Sequence, residues 1–311
     1  MTALEAVSVY LPPTRIPVES LAGSLGLTSV QARVFRRFHG LREVGRDPDP
    51  SLCNLLMKAA AGLDALRGQE HRVRYVLYAR TMPVVAPYPD NPLHEVCRAL
   101  GLGHALAFTV THQSCASGFL AIDIAGRLLA ADAGTGGQPL ALILSGEKAF
   151  TREAQVFENT TIFGEGASAC LVSAFGAHDR LLAYASNVRG EFDNATGAND
   201  ARLQREYRPS LAQVMRQALD EAGLTLDDIR VVLPHNVNVV TWQRMCLLLP
   251  FPLDRVLLDN IPVSGHLFCA DVFANYKTAC ERGLLRSGDR YLAAAVGAGG
   301  GATFAAMVFE H

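Results

Sequence analysis

The sequence carries almost no excess charge of either sign. Its 311 residues include 28 lysines and arginines against 30 aspartates and glutamates, for a formal net charge of −2. A protein with this balance has no whole-molecule attraction to nucleic acid or anionic lipid. Half of the residues are apolar and 19% are charged, which argues against a disordered chain and is typical of a globular protein with a sizeable core.

Segments that would direct the chain to a membrane or out of the cell are also lacking. The first residues, MTALEAVSVYLPP, show no basic region followed by a long apolar run, so we expect no signal peptide. No stretch reaches the roughly 18 to 20 apolar residues that a membrane-spanning helix needs, so we expect no membrane partner. The sequence therefore predicts a cytoplasmic protein.

Disulfide and metal-binding patterns are absent as well. The seven cysteines are odd in number and form no CxxC pair, which favours reduced thiols over a disulfide framework. No group of histidines has metal-ligand spacing, so we expect no metal site. Most of the cysteines are interpreted as small buried hydrophobic residues. They lie at positions 53, 97, 115, 170, 246, 269 and 280.

What the sequence does contain is an alternation of strand-like and helix-like segments, which predicts an α/β fold. Buried strands are predicted at 73–80, 106–112, 140–146, 168–174, 229–235 and 291–297. Amphipathic helices are predicted at 52–66, 92–100, 117–131, 211–222 and 270–283. The stretch 191–206 is polar and lacks apolar periodicity, so we interpret it as a surface excursion and a possible domain link.

A weak internal repeat suggests two halves, predicted as residues 1–175 and 176–311. In the first half HQSCASGFLAIDIAGRLL precedes the strand LALILSG, and in the second GHLFCADVFANYKTACERGLL precedes the strand YLAAAVG. Each unit is a polar turn, a helix and a buried strand. Two related halves bring two helix starts to one central cleft, and chance similarity between α/β units is the alternative.

Cys115 is the candidate nucleophile. It follows the predicted strand 106–112 and precedes the helix that begins near Ser117. A helix N-terminus presents unpaired N–H groups and a partial positive charge, which favour a thiolate over a thiol. A cysteine that only fills space in the core is the alternative. The small residues around Cys115 and its strand–turn–helix setting favour the nucleophile.

Two histidines and one aspartate are candidate partners for this sulfur, because a thiolate nucleophile needs a group that handles protons. His235 ends the predicted strand 229–235, and His266 lies just before a predicted helix. Strand ends and helix starts meet at the edge of an open α/β sheet where ligands bind. Asp271 follows His266 by five residues, and it is either the third member of a Cys–His–Asp relay or the cap of its helix.

Five segments occur together in a characteristic order along the chain. They are HGLREVGR (39–46), THQSCASGF (111–119), FGEGASA (163–169), PHNVN (234–238) and VGAGGGATFAAMV (296–308). In this order they resemble the motifs of the ketoacyl-[acyl carrier protein] synthase III family of the thiolase superfamily, and the similarity runs through nearly the whole chain.

The resemblance implies a thiolase-like five-layer αβαβα fold built from two similar halves, and a homodimer. It implies an acyl thioester on Cys115, loaded from acyl-CoA or an acyl carrier protein as substrate, with no further cofactor. It places His235 in the active site, and the oxyanion hole at the backbone N–H groups of Cys115 and of one glycine of 299–301, taken as Gly300. Asn238 is carried over as a substrate-side residue, at a motif position whose role is more structural.

One position departs from the family pattern. Where the family usually has Gly-Asn, this chain has Gly265-His266, similar to a subset of the family in specialised metabolism with a Cys–His–Asp site. A His–Asp pair can deprotonate an alcohol or an amine, which an asparagine cannot, so we predict acyl transfer to oxygen or nitrogen. Claisen condensation is the alternative, because two imidazoles beside a cysteine also resemble ketosynthases that decarboxylate. A catalytically silent partner subunit is a third possibility.

Two further sites are predicted on the substrate side. Arg36, Arg37 and Arg42 belong to a basic cluster that can meet the phosphates of coenzyme A or the acidic face of a carrier protein. The charged face of a solvated helix is the alternative. Tyr88 matches a family position from which an aromatic side chain reaches the acyl pocket of the partner subunit, and local packing in a loop is the alternative.

Overall fold

A computed structural model describes residues 1–134, 137–157, 160–193, 198–298 and 301–311. The strands are β1 Ala3–Tyr10, β2 Arg15–Pro17, β3 Glu43–Gly45, β4 Val73–Ala79, β5 Leu106–Val110, β6 Leu140–Gly146, β7 Val156–Phe157, β8 Thr161–Ile162, β9 Ala167–Ser173, β10 Arg180–Arg189, β11 Ile229–Pro234, β12 Arg290–Ala298 and β13 Ala302–Glu310. The helices are α1 Val18–Leu21, α2 Ser29–Arg37, α3 Leu52–Ala61, α4 Pro92–Ala99, α5 Ser117–Ala131, α6 Arg152–Gln155, α7 Ala198–Glu221, α8 Val239–Leu248, α9 Ile261–Ser264 and α10 Asp271–Glu281.

Nine of these strands form one sheet with two arms. The strand order is β11-β12-β13-β10-β1-β9-β6-β4-β5. The arms meet where β1 pairs with β10 through Ala3 and Arg180, whereas the other neighbours pair along much of their length. One arm therefore consists of β1, β9, β6, β4 and β5, and the other of β10, β13, β12 and β11.

The longer helices form three layers around the two arms. α3 and α4 pack against the first arm, and α7 and α8 pack against the second. α5 and α10 lie between the arms, where their buried faces share one apolar cluster with strands of both. The order of layers is helix, sheet, helix, sheet, helix, which confirms the predicted five-layer αβαβα fold.

The internal repeat corresponds to two matching turns at the starts of the central helices. A 3₁₀ turn at Ser114–Ala116 leads into α5, and another at Phe268–Ala270 leads into α10. The first residue of each turn has a positive φ, +48° at Ser114 and +56° at Phe268, a conformation that is uncommon outside glycine. Cys115 and Cys269 therefore hold the same position in the two turns.

All six predicted strands are present, each within two residues of its predicted ends. β1 and β10, which join the arms, have no counterpart in the prediction, because both mix buried and partly exposed positions without a clear alternation. The predicted boundary between the halves, at 175/176, falls between β9 and β10, and the division into two halves at that point stays a prediction.

The interpretation of 191–206 as a surface excursion is wrong for its second part, because α7 begins at Ala198. Residues 194–197 lie outside the described part of the chain. The start of α7 shows little apolar periodicity because ion pairs stabilise it: Glu206 accepts hydrogen bonds from Arg189 and from Arg202. Pro209 lies inside the helix and also weakens a helical prediction there.

The stretch Ser114–Ala131 is, by length and composition, apolar enough to cross a membrane, contrary to the expectation that no such stretch exists. It comprises the Cys115 turn and α5, and 61% of it is buried inside the protein. Its apolar residues are explained by its place in the middle layer, where both sides of the helix face a sheet.

Candidate active site

Cys115 lies in the turn that connects β5 to α5, and only 8% of its surface is exposed. Contact with β12 keeps this turn close to the second arm: a Cβ on Gly297 would lie 1.9 Å from the backbone oxygen of Gln113. Only glycine at 297 therefore allows β12 to approach the backbone of Gln113 so closely, which explains the first glycine of the C-terminal motif. The Cys115 turn is thus held between the two arms, at the start of a central helix as predicted.

His266 is the residue that contacts the sulfur. Its Nε2 lies 3.2 Å from the Cys115 Sγ, and its Nδ1 is hydrogen-bonded to the Asp271 carboxylate. The same carboxylate accepts the backbone N–H of Leu267 at 2.7 Å and that of Asn236 at 2.5 Å. Cys115, His266 and Asp271 therefore form a continuous hydrogen-bonded relay.

The geometry distinguishes between the two interpretations of Asp271. The N-cap of α10 is Ala270, and no side chain caps that helix. Asp271 is the first residue of the helix, and its side chain points back to His266 and to the turn before the helix. Its bonds are those of the relay rather than of an N-cap.

The turn at 163–166 holds His266 in place. Phe163 stacks on the His266 ring with centroids 4.8 Å apart, and the backbone N–H of Gly164 donates to the His266 oxygen at 2.9 Å. The His266 N–H in turn donates to Ile162. A Cβ on Gly164 would lie 1.8 Å from the Ser264 oxygen, so only glycine permits this contact. The FGEGASA segment is therefore a support for the histidine.

The two imidazoles have opposite electrostatic settings. Burial by itself lowers the pKa of His266, but Asp271 and a charged Cys115 outweigh it and raise that pKa to about 10. Burial, and then the nearby His266 charge, lower the pKa of His235 to about 3. At neutral pH His266 is therefore an imidazolium and His235 a neutral ring.

His235 lies beside the relay but contacts a different side chain. Its ring centroid is 6.2 Å from that of His266, and its Nε2 is 2.6 Å from the Tyr207 hydroxyl. Its backbone N–H donates to Ala294, and its carbonyl accepts from Trp242 Nε1. Tyr207 was missed in the sequence because it lies in a polar stretch with no motif, so no local signal points to it.

Thr81 and Glu147 are two further residues that sequence reasoning missed. The Thr81 hydroxyl donates to Cys115 Sγ at 3.4 Å and also lies 3.7 Å from the Cys269 sulfur. The buried Glu147 carboxylate accepts the N–H groups of Thr81 and Met82, at 2.6 and 2.7 Å. A signal for both exists, because each lies within two residues of the end of a buried strand, at the sheet edge where ligands bind.

Burial sets the titration of the groups around Thr81. It raises the pKa of Glu147 to about 7, against the two N–H bonds that lower it. Burial also raises the pKa of the Cys269 thiol, and the charges of Glu147 and Cys115 add to that effect. Cys269 is therefore a neutral thiol beside Cys115, and it donates to the Ser114 oxygen at 3.2 Å.

The remaining predicted residues lie away from the relay. Asn238 is the N-cap of α8: its Oδ1 accepts from Thr241 and its Nδ2 donates to Thr160, which agrees with a structural role. Tyr88 is 98% exposed. Gly300 lies outside the described residues, so the second oxyanion-hole N–H stays a prediction.

The predicted basic cluster lies at the protein surface. Arg36 forms an exposed ion pair with Glu19 at 2.9 Å. Arg37 and Arg42 are exposed as well, and the hydrogen bonds and ion pairs of the described residues connect none of the three arginines to the relay. Their role in binding a donor stays a prediction.

The chemistry available to this group follows from its geometry. A sulfur at a helix start, an imidazolium in contact with it and a carboxylate behind the imidazolium can form and break a covalent bond at Cys115 while one proton moves on and off His266. The same arrangement can remove a proton from an oxygen or nitrogen nucleophile once the sulfur is occupied.

Comparison with known proteins agrees with the motifs. Residues 219–311 match the family described as 3-oxoacyl-[acyl-carrier-protein (ACP)] synthase III C terminal. A beta-ketoacyl-[acyl-carrier-protein] synthase III of Sphingopyxis alaskensis is 28% identical over 99% of this chain and 98% of its own length. The enzyme of the same name from Rhizorhabdus wittichii is 29% identical over 68% of this chain and 70% of its own length.

Solved structures share the fold over the full length. The acyltransferase ChlB3 is 21% identical with a TM-score of 0.84, covering 99% of this chain and 97% of its own. The 3-oxoacyl-[acyl-carrier-protein] synthase III of Aquifex aeolicus VF5 is 21% identical with a TM-score of 0.83, covering both chains fully. OleA of Xanthomonas campestris, with bound lauric acid and lauroyl-CoA, is 16% identical with a TM-score of 0.80, covering 100% of this chain and 99% of its own.

Proposed function

We propose that this chain, which is similar in sequence and fold to ketoacyl-[acyl-carrier-protein] synthase III enzymes, is an acyltransferase. It moves an acyl group from acyl-CoA or an acyl carrier protein, through a thioester on Cys115, to a hydroxyl or amine acceptor in specialised metabolism. The observation that carries the proposal is the relay in which His266 bridges Cys115 and Asp271.

In the loading step the Cys115 thiolate attacks the carbonyl carbon of the donor thioester. A new carbon–sulfur bond forms at Cys115 as the donor's carbon–sulfur bond breaks, and the leaving thiolate takes the proton of the His266 imidazolium. The N-terminus of α5 faces the negative charge that develops on the carbonyl oxygen. The step ends with an acyl group on Cys115 and a neutral His266.

In the transfer step the neutral His266 is the base. Acylation removes the negative charge of the sulfur, one of the causes that raise the pKa of His266, so this pKa falls when the acyl group is present. His266 takes the proton of the acceptor while the acceptor oxygen or nitrogen attacks the acyl carbon. Cys115 then leaves as a thiolate beside a protonated His266, and the starting state is restored.

Carbon–carbon bond formation at the same cysteine is the second candidate. The observation in its favour is a second imidazole, His235, whose ring centroid lies 6.2 Å from that of His266. The relay favours acyl transfer instead, because a histidine held by a carboxylate is built to accept a proton from an acceptor.

The proposal includes the donor and the assembly. The exposed Arg36, Arg37 and Arg42 are suited to the phosphates of coenzyme A or to an acidic carrier protein. The exposed edge strand β5 and the exposed Tyr88 are suited to a homodimer in which Tyr88 faces the partner subunit. We propose that no cofactor beyond the acyl donor is needed, and that the enzyme works in the cytoplasm with reduced thiols.

The covalent step is tested by intact-protein mass spectrometry after exposure to a panel of acyl-CoAs. Wild type is expected to gain the mass of one acyl group, and Cys115→Ala is expected to gain none, because Cys115 is the attacking sulfur. Cys269→Ala is the matched control: it removes the cysteine at the same position of the second turn and is expected to load like wild type.

The acceptor class is tested on the loaded enzyme. Release of the acyl group to an alcohol or amine library, without carbon dioxide from malonyl-CoA, is the expected result. Equal loading of the Cys115→Ala variant would exclude the covalent mechanism, and carbon dioxide release as the main activity would exclude acyl transfer in favour of condensation.

A further inference from the structure

The buried His235 and the half-buried Tyr207 form a pair that the transfer mechanism does not use. His235 is 2% exposed, and its Nε2 lies 2.6 Å from the Tyr207 hydroxyl. The pair is held from several sides: Trp242 packs edge-on to the His235 ring, and Phe304 packs edge-on to the Tyr207 ring. The contact is therefore a fixed feature of the site.

The contact uses the hydrogen-bonding capacity of Nε2. Each nitrogen of a neutral imidazole makes one hydrogen bond, as donor or as acceptor. His235 Nδ1 is buried and has no hydrogen-bond partner among the residues that the structure describes. With Nε2 bound to Tyr207 and Nδ1 buried, the ring offers no nitrogen to a substrate.

The lack of a free nitrogen on His235 affects one competing reaction, decarboxylative condensation with a malonyl thioester. When a malonyl thioester loses its carboxylate, the carbon–carbon bond breaks, carbon dioxide leaves and the electron pair moves to the thioester oxygen as an enolate. The enolate carbon then attacks the acyl carbon on Cys115 and expels the Cys115 thiolate. The enolate oxygen needs hydrogen-bond donors, and preorganised donors lower such a barrier strongly.

The imidazoles beside Cys115 are the natural donors for that oxygen. Once the acyl group is on Cys115, His266 is neutral and keeps its one proton on Nδ1, toward Asp271, so its Nε2 can accept a hydrogen bond but donates none. His235 is the second ring of the site, and Tyr207 occupies its Nε2. In the described part of the site neither imidazole therefore offers an N–H to the enolate oxygen.

We propose that Tyr207 is a specificity-determining residue that acts through His235. By binding Nε2, it withholds that nitrogen from an enolate oxygen and so favours acyl transfer over decarboxylative condensation. This inference rests on the proposed function, since it explains how the site avoids the second candidate reaction. Tyr207 is placed for this role by α7, whose neighbouring Glu206 is bonded to Arg189 and Arg202.

The test is Tyr207→Phe, measured as carbon dioxide release from malonyl-CoA by the acyl-loaded enzyme. The variant keeps the ring and removes the hydroxyl, so Nε2 becomes free. We expect carbon dioxide release to rise at least about tenfold over wild type, since one donor to an oxyanion is worth about 10²- to 10³-fold. Loading of Cys115, followed by intact mass, is expected to be unchanged.

Two comparisons identify the cause of such a rise. Tyr75→Phe removes another hydrogen-bonded tyrosine hydroxyl, which donates to Asp132 at 2.9 Å near the far end of β4, and is expected to change nothing. The double variant Tyr207→Phe/His235→Ala is expected to return to the wild-type rate, because the freed nitrogen is gone.

The possible failures are distinguishable. If Tyr207→Phe loads normally and shows no rise, the inference is wrong and the proposed function stands. A rise that persists in the double variant also overturns the inference, because His235 is then not the donor. Rapid carbon dioxide release by wild type contradicts the proposed function, and the inference with it.

Discussion

Asp271 shows how much of the site depends on a single carboxylate. It orients His266, and it also accepts two backbone N–H groups from the segments that carry His235 and His266. A carboxylate in this position stabilises the imidazolium and selects the tautomer that presents Nε2 to the sulfur. The chemical and the structural roles of Asp271 are therefore joined in one side chain.

Replacement of Asp271 separates these roles. Asp271→Asn keeps one acceptor oxygen and most of the shape, so we expect a folded protein whose acyl transfer falls about 10²- to 10⁴-fold. Asp271→Ala also leaves buried N–H groups without an acceptor, so we expect a similar loss of activity together with a lower melting temperature. Steady-state transfer rates and thermal unfolding of both variants are the measurements. An Asn variant with wild-type activity would remove Asp271 from the mechanism.

Cys115 and Cys269 illustrate how position in a turn does not decide reactivity. Both follow a residue with positive φ at the start of a central helix. Only Cys115 contacts an imidazolium, whereas burial and the neighbouring charges keep Cys269 a neutral thiol. The partner brought by the fold, rather than the local turn, distinguishes the two sulfurs.

At the scale of elements, the glycines of the motifs allow segments to approach each other. Gly297 allows the Cys115 turn to contact β12, and Gly164 allows the segment before His266 to contact the 163–166 turn. At both positions a Cβ would overlap a backbone oxygen, which cannot move aside as the end of a side chain can. These glycines are required by backbone contacts around the relay.

Gly164→Ala tests this explanation. The added Cβ would lie 1.8 Å from the Ser264 oxygen, so the backbone on one side must shift. We expect a loss of about 3 kcal/mol or more in unfolding free energy, measured by urea denaturation, and a loss of acyl transfer because His266 moves. Gly103→Ala is the matched control, since a Cβ there meets nothing within 4 Å. Equal unfolding free energies of the two variants would show that Gly164 and the Ser264 oxygen are not in close contact.

α7 is the element in which local signals and tertiary structure differ most. Its first half is stabilised by Glu206 with two arginines, and those arginines also lie over the Phe192 ring. Such contacts leave no apolar stripe for a sequence pattern to detect. The same half of the helix carries Tyr207, so a sequence pattern that does not detect this half also does not detect the residue that contacts His235.

At the scale of the whole molecule, the site exists only where the two arms face each other. Cys115 comes from the first arm and its central helix, and His266 and Asp271 come from the segment that leads into the other central helix. Folding must therefore bring residues 151 positions apart into contact. The charge balance at that contact makes stability depend on pH.

The sign of this dependence follows from His266. Its pKa is about 10 in the folded protein and about 6.5 when unfolded. Between these values the folded state binds the extra proton, so the contribution is complete below about pH 6.5 and is lost as the pH rises toward 10. The slope from one group is at most about 1.4 kcal/mol per pH unit.

We therefore expect the unfolding free energy of wild type, from urea titrations under reducing conditions at pH 6 to 9, to fall with pH more steeply than that of Asp271→Asn. The amide in this variant lacks the charge that helps to raise the His266 pKa. The difference between the two proteins cancels the titration of groups that they share. Parallel slopes would show that the His266–Asp271 pair is not coupled to folding.

The sequence by itself determined the α/β class, the six core strands and the start of α5 just after Cys115. It also pointed to His235, His266 and Asp271, because strands, helix starts and turn residues are set by patterns within a few neighbouring residues. The resemblance to the synthase III family and the five-layer fold could be recognised from five ordered segments, and the relatives and the structure confirm this resemblance and this fold. The contacts and roles of several site residues could not be derived from such local patterns.

Only the tertiary structure decided which histidine contacts Cys115, and that Asp271 serves the relay rather than a helix cap. It also brought in Thr81, Glu147 and Tyr207, none of which has a motif. Most of these contacts join segments that are far apart in the chain, and their energies arise from burial and charge at the meeting point of the two arms. Asp271 is close to His266 in the chain, but the turn that joins them is held by contacts with the 163–166 turn and with Asn236. A local pattern can place Thr81 and Glu147 at the edge of the sheet, but it does not identify the side chain that each contacts across the site.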